Sequence, residues 1–79
     1  MRLIGEIPHP DCKITIFWWN NRYLVKFEVG LFEQTYKLNQ YDLTEERELY
    51  TLVDTEFITR VLEIFDQMGQ SFQGAMQRL

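Results

Sequence analysis

The chain has 79 residues, of which 46% are hydrophobic and 25% are charged, and its formal net charge is -4. This composition is far from the low-hydrophobicity, high-charge range of disordered chains, and the length predicts one domain, residues 1–79, with a small core. No run approaches the roughly 18 to 20 apolar residues that span a bilayer, and a single cysteine excludes an intramolecular disulfide. We therefore expect a cytoplasmic globular protein.

The charges are unevenly distributed along the chain. Residues 1–41 hold five Lys or Arg against four Asp or Glu, whereas residues 42–79 hold three against eight. An acidic chain is repelled by phosphates at long range. We therefore expect that neither an anionic membrane nor duplex DNA is a partner. The expected partner is another protein or a second copy of this chain.

The first predicted element is a strand over residues 2–7. The opening segment carries Glu6 and has no small-residue cleavage site, so it is read as a strand and not as a signal peptide. Pro8 and Pro10 follow, and neither can donate a hydrogen bond to a sheet. This segment therefore separates the first strand from the second.

The run "IFWWNNRYLVKF" predicts a β-hairpin. Asparagine tolerates the left-handed backbone of a type I' turn, so Asn20 and Asn21 suit its two central positions. One face of the hairpin is then entirely apolar, with the pairs Ile14–Phe27, Ile16–Val25 and Trp18–Tyr23. The other face pairs Lys13–Glu28, Thr15–Lys26, Phe17–Leu24 and Trp19–Arg22. A slip of one residue would scramble both faces, so the pattern fixes the register.

A second hairpin is predicted at Gly30, which can adopt the positive φ of a type II' turn. The meander would then have strands at 13–19, 22–29 and 32–38. This register sets Glu28 opposite Glu33, which is unfavourable. A longer loop of the same parity is therefore an alternative.

After Asn39 the apolar period becomes helical. Thr44 is the expected N-cap of a short helix with Leu49, Leu52 and Val53 on its apolar face. Asp54 is the expected cap of a second helix, with Gly69 as its end. Two alternatives are open for the tail that follows: it frays, or it extends the helix when a partner is present. Its predicted apolar stripe is Phe57, Ile58, Val61, Leu62, Phe65 and Met68.

The expected fold class is therefore α+β, a three- or four-stranded antiparallel meander with a C-terminal helix packed on one face, with strands within 2–39 and helices within 44–72. The polar face of the long helix would be Glu56, Thr59, Arg60, Glu63, Asp66 and Gln67. Glu56 and Arg60 are an i, i+4 pair on it.

The segments "EIPHPDCKITIFWWNNRY" and "EQTYK" resemble the opening of a family of small, functionally uncharacterised bacterial proteins. The resemblance covers roughly the first half of the chain. It implies no activity, no cofactor and no functional residue.

The sole histidine and sole cysteine are close together, at His9 and Cys12. An imidazole next to a thiol can activate a nucleophile, and with Asp11 the pair could contribute to a metal site shared between subunits. The flanking prolines limit this geometry, so a structural loop is favoured.

Glu45, Glu46 and Glu48 are explained by helix capping and solvation. We expect no catalytic residue, no metal and no cofactor, and an enzyme is the third hypothesis.

The polar face of the hairpin is the more informative surface, because three large apolar side chains lie on it. The candidate interaction surface is Phe17, Trp19, Arg22, Leu24, Lys26 and Lys37. Trp18 is expected in the core and Trp19 outside it. Either this face contacts a partner, or Arg22 stacks on Trp19 while the first strand or the tail covers the rest.

Two functions are open for this surface. The preferred one is a non-catalytic protein-interaction module or small homodimeric adaptor. The alternative is a binder of a small ligand or of single-stranded nucleic acid that stacks on Trp19 and Phe17.

Overall fold

The computed structural model describes residues 1–79 as one antiparallel sheet with helices on one face. The strands are β1 (Arg2–Ile7), β2 (Lys13–Trp19), β3 (Arg22–Val29) and β4 (Phe32–Asn39). A 3-10 turn at Gln40–Asp42 is followed by the helices α1 (Glu48–Leu52) and α2 (Thr55–Met76). The strands are neighbours in chain order, so the predicted α+β meander is confirmed, with four strands.

Both hairpins have the predicted register. Asn20 and Asn21 have φ values of 55° and 64°, as a type I' turn requires, and every predicted β2–β3 pair is present. Gly30 has a φ of 58°, and no other residue of its turn has a positive φ, as in a type II' turn. Val29 consequently lies opposite Phe32.

The pairing of Glu28 with Glu33 is tolerated because a cation lies between them. Lys26 Nζ lies 3.6 Å from Glu28 Oε1 and 3.3 Å from Glu33 Oε2. The two carboxylates therefore share one ammonium group across the β3–β4 pair. The turn has two residues, so the longer loop considered as an alternative is not present.

The core lies between the sheet and the two helices. We call this side of the sheet the core face, and the opposite side the outer face. The fully or nearly fully buried apolar side chains are Cys12, Ile14, Ile16, Val25, Phe27, Leu49, Val53, Ile58, Val61 and Phe65. Gln34 is the one polar residue of β4 that is buried, and its amide donates to Val61 O at 2.9 Å and accepts from Tyr36 Oη at 2.6 Å. Every buried side-chain polar atom has a partner.

Helix α2 begins where the sequence indicates and ends later. Asp54 caps it by accepting a hydrogen bond from Phe57 N at 2.8 Å, and the predicted stripe faces the sheet. The prediction that Gly69 ends the helix is wrong, because α2 continues to Met76. Phe72 packs edge-on against Phe32 with ring centroids 5.9 Å apart, which anchors the turns that follow the glycine.

The start of α1 differs from the prediction. Thr44 is not a side-chain cap; its own backbone N–H donates to Glu48 Oε1 at 2.6 Å, and that of Glu45 donates to the same oxygen at 2.8 Å. On α2, the ion pair of Arg60 is with Glu63 at 3.3 Å instead of with Glu56. Helix α1 begins only at Glu48, so Thr44 lies too far before its first turn to cap it.

Candidate functional site

The six residues of the predicted interaction surface lie on the outer face. Phe17 and Trp19 are in β2, Arg22, Leu24 and Lys26 are in β3, and Lys37 is in β4. The helices pack on the core face, where Phe57 contacts Phe27 and Tyr36 edge-on. No helix therefore covers the outer face.

A row of paired residues crosses all four strands on this face. Leu3 lies opposite Phe17, Phe17 opposite Leu24, and Leu24 opposite Lys37. Leu3 is 56% exposed and Trp19, next to the row, is 54% exposed, whereas Phe17 and Leu24 are half-buried. These four apolar side chains, Leu3, Phe17, Trp19 and Leu24, are hereafter the outer patch.

Leu3 is a member of the outer patch that the sequence interpretation missed. The register of β1 shifts between Leu3 and Gly5, so a simple alternation counted from Ile7 puts Leu3 on the core face. A bulge reverses the facing of the residues before it, and the sequence signal for this one is Gly5, because a glycine inside a strand often marks a bulge.

The two tryptophans have different environments. Trp18 lies on the core face but is only half-buried, with Nε1 donating to Gln40 Oε1 at 2.7 Å and the Arg2 guanidinium 5.5 Å from its ring centroid. The alternative in which Arg22 stacks on Trp19 is not observed, and the cation-π contact of the structure is that of Arg2 with Trp18. Trp19 therefore presents its ring to solvent.

The cations of the outer face are not equivalent. A hydrogen bond and the charge of Glu33, and then the charge of Glu28, raise the pKa of Lys26. Arg22 and Lys37 form no ion pair within 4.0 Å. Of the three cations of the predicted interaction surface, Arg22 and Lys37 are therefore available to an external group, and Lys26 is already neutralised.

The loop of His9 and Cys12 does not assemble a nucleophile. His9 Nδ1 accepts a hydrogen bond from Asp11 N at 3.1 Å, which commits that ring nitrogen to the loop. Cys12 is 8% exposed, and burial, followed by the charge of Asp11, raises the pKa of its thiol. At a given pH, a smaller fraction of Cys12 is therefore thiolate than in a free cysteine, whereas a reactive cysteine needs a larger thiolate fraction.

An open cavity of about 510 Å³ lies beside this loop, and Glu6 and Glu28 also line it. No cluster of three or more His, Cys, Asp or Glu side chains has the geometry to hold a metal ion.

The three carboxylates before and within α1 have structural partners. Glu48 accepts the two backbone N–H groups described above, Glu45 pairs with Arg47, and Glu46 accepts a hydrogen bond from Tyr23 Oη at 3.3 Å. Burial, and then the charge of Glu46, raises the pKa of Tyr23. These contacts account for the acidic cluster without a ligand.

Neither helix combines the length and apolar character that crossing a membrane requires. No family model, no curated protein and no solved structure matches the chain. The resemblance of the first half to small bacterial proteins stays an expectation.

Proposed function

We propose that this protein is a non-catalytic interaction module whose outer patch binds another protein. The observation that carries the proposal is the row from Leu3 through Phe17 to Leu24, next to a tryptophan that is 54% exposed, on a sheet face without a covering element. Contiguous exposed apolar side chains on a small domain are typical of contact surfaces. Tryptophan is also among the residues that contribute most to binding at protein interfaces.

The charges around the outer patch indicate the chemistry of the partner. Arg22 lies opposite Trp19, and Lys37 continues the apolar row on β4. Both lack an intramolecular ion pair. A partner surface with an apolar centre and an Asp- or Glu-bearing rim would bury the patch and complement these cations.

Single-stranded nucleic acid is the second candidate, because Trp19 and Phe17 could stack on bases. It has weaker support. Lys26, one of the three cations of the predicted surface that could contact phosphates, lies 3.6 Å from Glu28 and 3.3 Å from Glu33. The net charge of -4 also opposes the approach of a polyanion.

An enzyme or metal site in the 9–12 loop is the third candidate and has the least support. Its thiol has a raised pKa, and the imidazole is engaged by the Asp11 backbone. A buried, reduced Cys12 fits the cytoplasmic location that we propose.

The test is affinity capture with matched variants. Trp19→Ser removes the most prominent ring of the outer patch, and Tyr41→Ser removes a ring that is 75% exposed in the 3-10 turn. We expect specific proteins to be retained by the wild type and by Tyr41→Ser but not by Trp19→Ser. Equal retention by all three proteins, with unchanged circular dichroism spectra, would refute the proposal.

A further inference from the structure

Strand β4 is an open edge of the sheet. The residues that flank a two-residue turn form a hydrogen-bonded pair, so the backbone groups of Phe32, Gln34 and Tyr36 point toward β3. Those of Glu33, Thr35 and Lys37 consequently point away from the sheet, and none of them takes part in a backbone hydrogen bond outside the ladder. The strand is regular over its eight residues and contains no proline.

The two edges of the sheet are not alike. Strand β1 is shorter, with six residues, and its pairing is irregular between Leu3 and Gly5. Bulges and short lengths are the features by which natural sheets prevent an edge from pairing with another chain. Strand β4 has neither feature, so it is the edge that can accept another strand.

We propose that two copies of this chain pair through β4 in antiparallel orientation, with Thr35 on the two-fold axis. Only this register sets Glu33 opposite the partner's Lys37, and symmetry makes the contact twice. An axis at Glu33 or at Lys37 sets like charges opposite each other, and an axis at Gln34 or Tyr36 leaves both charges opposite uncharged residues. Opposite charges and a Thr–Thr pair are favourable directly across strands, and like charges are not.

The core faces of the two copies are complementary in the same register. Phe32 comes to lie opposite the partner's Leu38. Beside Phe32, an apolar groove of about 500 Å³ contains the exposed ring of Phe72, together with Ile64 and Met68. Beside Leu38, an apolar cleft of about 390 Å³ lies between Leu52 and Phe57. The groove beside Phe32 of one copy therefore lies next to the cleft beside Leu38 of the other copy. The two-fold axis makes this apolar contact twice.

The helices leave room for this pairing. Phe57 contacts Phe27 of β3 and Tyr36 of β4, and Gln34 of β4 donates to Val61 O, so this part of α2 lies over the β3–β4 pair. With strands about 4.8 Å apart, the two α2 axes would be about 10 Å apart, which is close to the usual helix packing distance. The side of α2 that then faces the partner contains Ile64, which is 40% exposed, and Arg60, whose charge is paired with Glu63.

The inference shares one residue with the proposed function, because Lys37 would pair with the partner's Glu33 in the dimer, whereas Arg22 and the outer patch take no part in it. A two-fold axis perpendicular to the sheet puts both outer faces on the same side of an eight-stranded sheet made from the four strands of each copy. Trp19 in β2 stays accessible, so a dimer can form whether or not the outer patch binds a protein.

The test uses charge reversal at the two positions of the edge. Glu33→Lys and Lys37→Glu each create two like-charge contacts and should weaken dimerisation roughly tenfold or more, as measured by light scattering at about 0.1 mM chain. Lys13→Glu makes the same change of charge as Lys37→Glu, but on β2 and away from the edge, and should behave as the wild type, with twice the 9.6 kDa mass of one chain.

Mixing the two reversed variants is the decisive arm. One chain then carries two lysines and the other two glutamates at positions 33 and 37, so the mixture should recover a heterodimer that neither variant forms with itself. A monomeric wild type at this concentration, single variants as dimeric as the wild type, or a mixture that stays monomeric would each overturn the proposal.

A readout on the unmodified protein covers the case in which a variant does not fold. The backbone N–H groups of Glu33, Thr35 and Lys37 should exchange slowly with solvent at high protein concentration and faster on dilution. Exchange at these three positions that is fast and independent of concentration would also overturn the proposal.

Discussion

Removing the Tyr36 hydroxyl should destabilise the protein by more than the loss of one exposed contact. Gln34 is 9% exposed and its Oε1 accepts from Tyr36 Oη at 2.6 Å, while its Nε2 is held by Val61 O at 2.9 Å. Tyr36→Phe therefore leaves a buried carbonyl oxygen without a donor, which costs about 1 to 3 kcal/mol. At about 0.05 to 0.15 kcal/mol per residue, the whole chain has about 4 to 12 kcal/mol of stability.

The assay is thermal unfolding followed by circular dichroism, at one protein concentration for all variants because strand pairing would make stability concentration-dependent. A loss of 1 kcal/mol lowers the Tm of a domain of this size by about 4 to 8 °C. The control is Tyr41→Phe, because Tyr41 is 75% exposed and its hydroxyl makes no hydrogen bond within the chain, so its effect should stay within about 0.5 kcal/mol.

The double variant Gln34→Met/Tyr36→Phe separates this explanation from a loss of packing. Replacing both partners by apolar groups removes the unpaired oxygen, so the double variant should regain most of the stability that Tyr36→Phe loses. The reasoning is refuted if Tyr36→Phe is as stable as Tyr41→Phe, or if the second substitution lowers the Tm further.

Two further predictions concern the alternative functions. Cys12 should be alkylated more slowly than a free thiol, with a pH-rate inflection above the ordinary thiol value of about 8.5, because burial and Asp11 raise its pKa; an inflection well below 7 that His9→Ala abolishes would restore the enzyme hypothesis. For the nucleic-acid alternative, short single-stranded oligonucleotides should leave Trp19 fluorescence unchanged at low salt in a Trp18→Phe background. Quenching that weakens steeply as salt rises would instead support phosphate contacts.

The same thiol predicts how stability changes at alkaline pH. A raised pKa means that the folded state keeps the Cys12 proton when the unfolded state has lost it. The contribution is complete below the unfolded pKa and is lost as pH rises through the folded value. The stability of the wild type should therefore fall above about pH 8.5, and Cys12→Ala should make that fall shallower in urea unfolding.

The sheet was predictable because its register is overdetermined by the sequence. Asn20 and Asn21 supply the left-handed turn, and a shift of one residue would expose Phe27 and bury Lys26. Two independent constraints thus select one pairing. The start of α2 was predictable for a similar reason, since Asp54 caps the helix at the point where the apolar stripe begins.

Other features depend on contacts between distant residues. Gly69 costs a helix only about 1 kcal/mol relative to alanine, and the packing of Phe72 on Phe32 helps to carry α2 past it. Leu3 belongs to the outer patch because of a bulge, and Arg2 lies on Trp18 because β1 pairs with β2. None of these contacts is local in the sequence, so pattern analysis could not supply them.

Photo-cross-linking in cells tests most directly whether the outer patch is a protein contact. A photoreactive amino acid would replace Trp19, which is 54% exposed in the patch, and in a matched protein it would replace Tyr41, which is 75% exposed outside it. We predict discrete cross-linked protein adducts from position 19 and none of the same mass from position 41. The absence of any adduct at position 19, or identical adducts from both positions, would contradict the account.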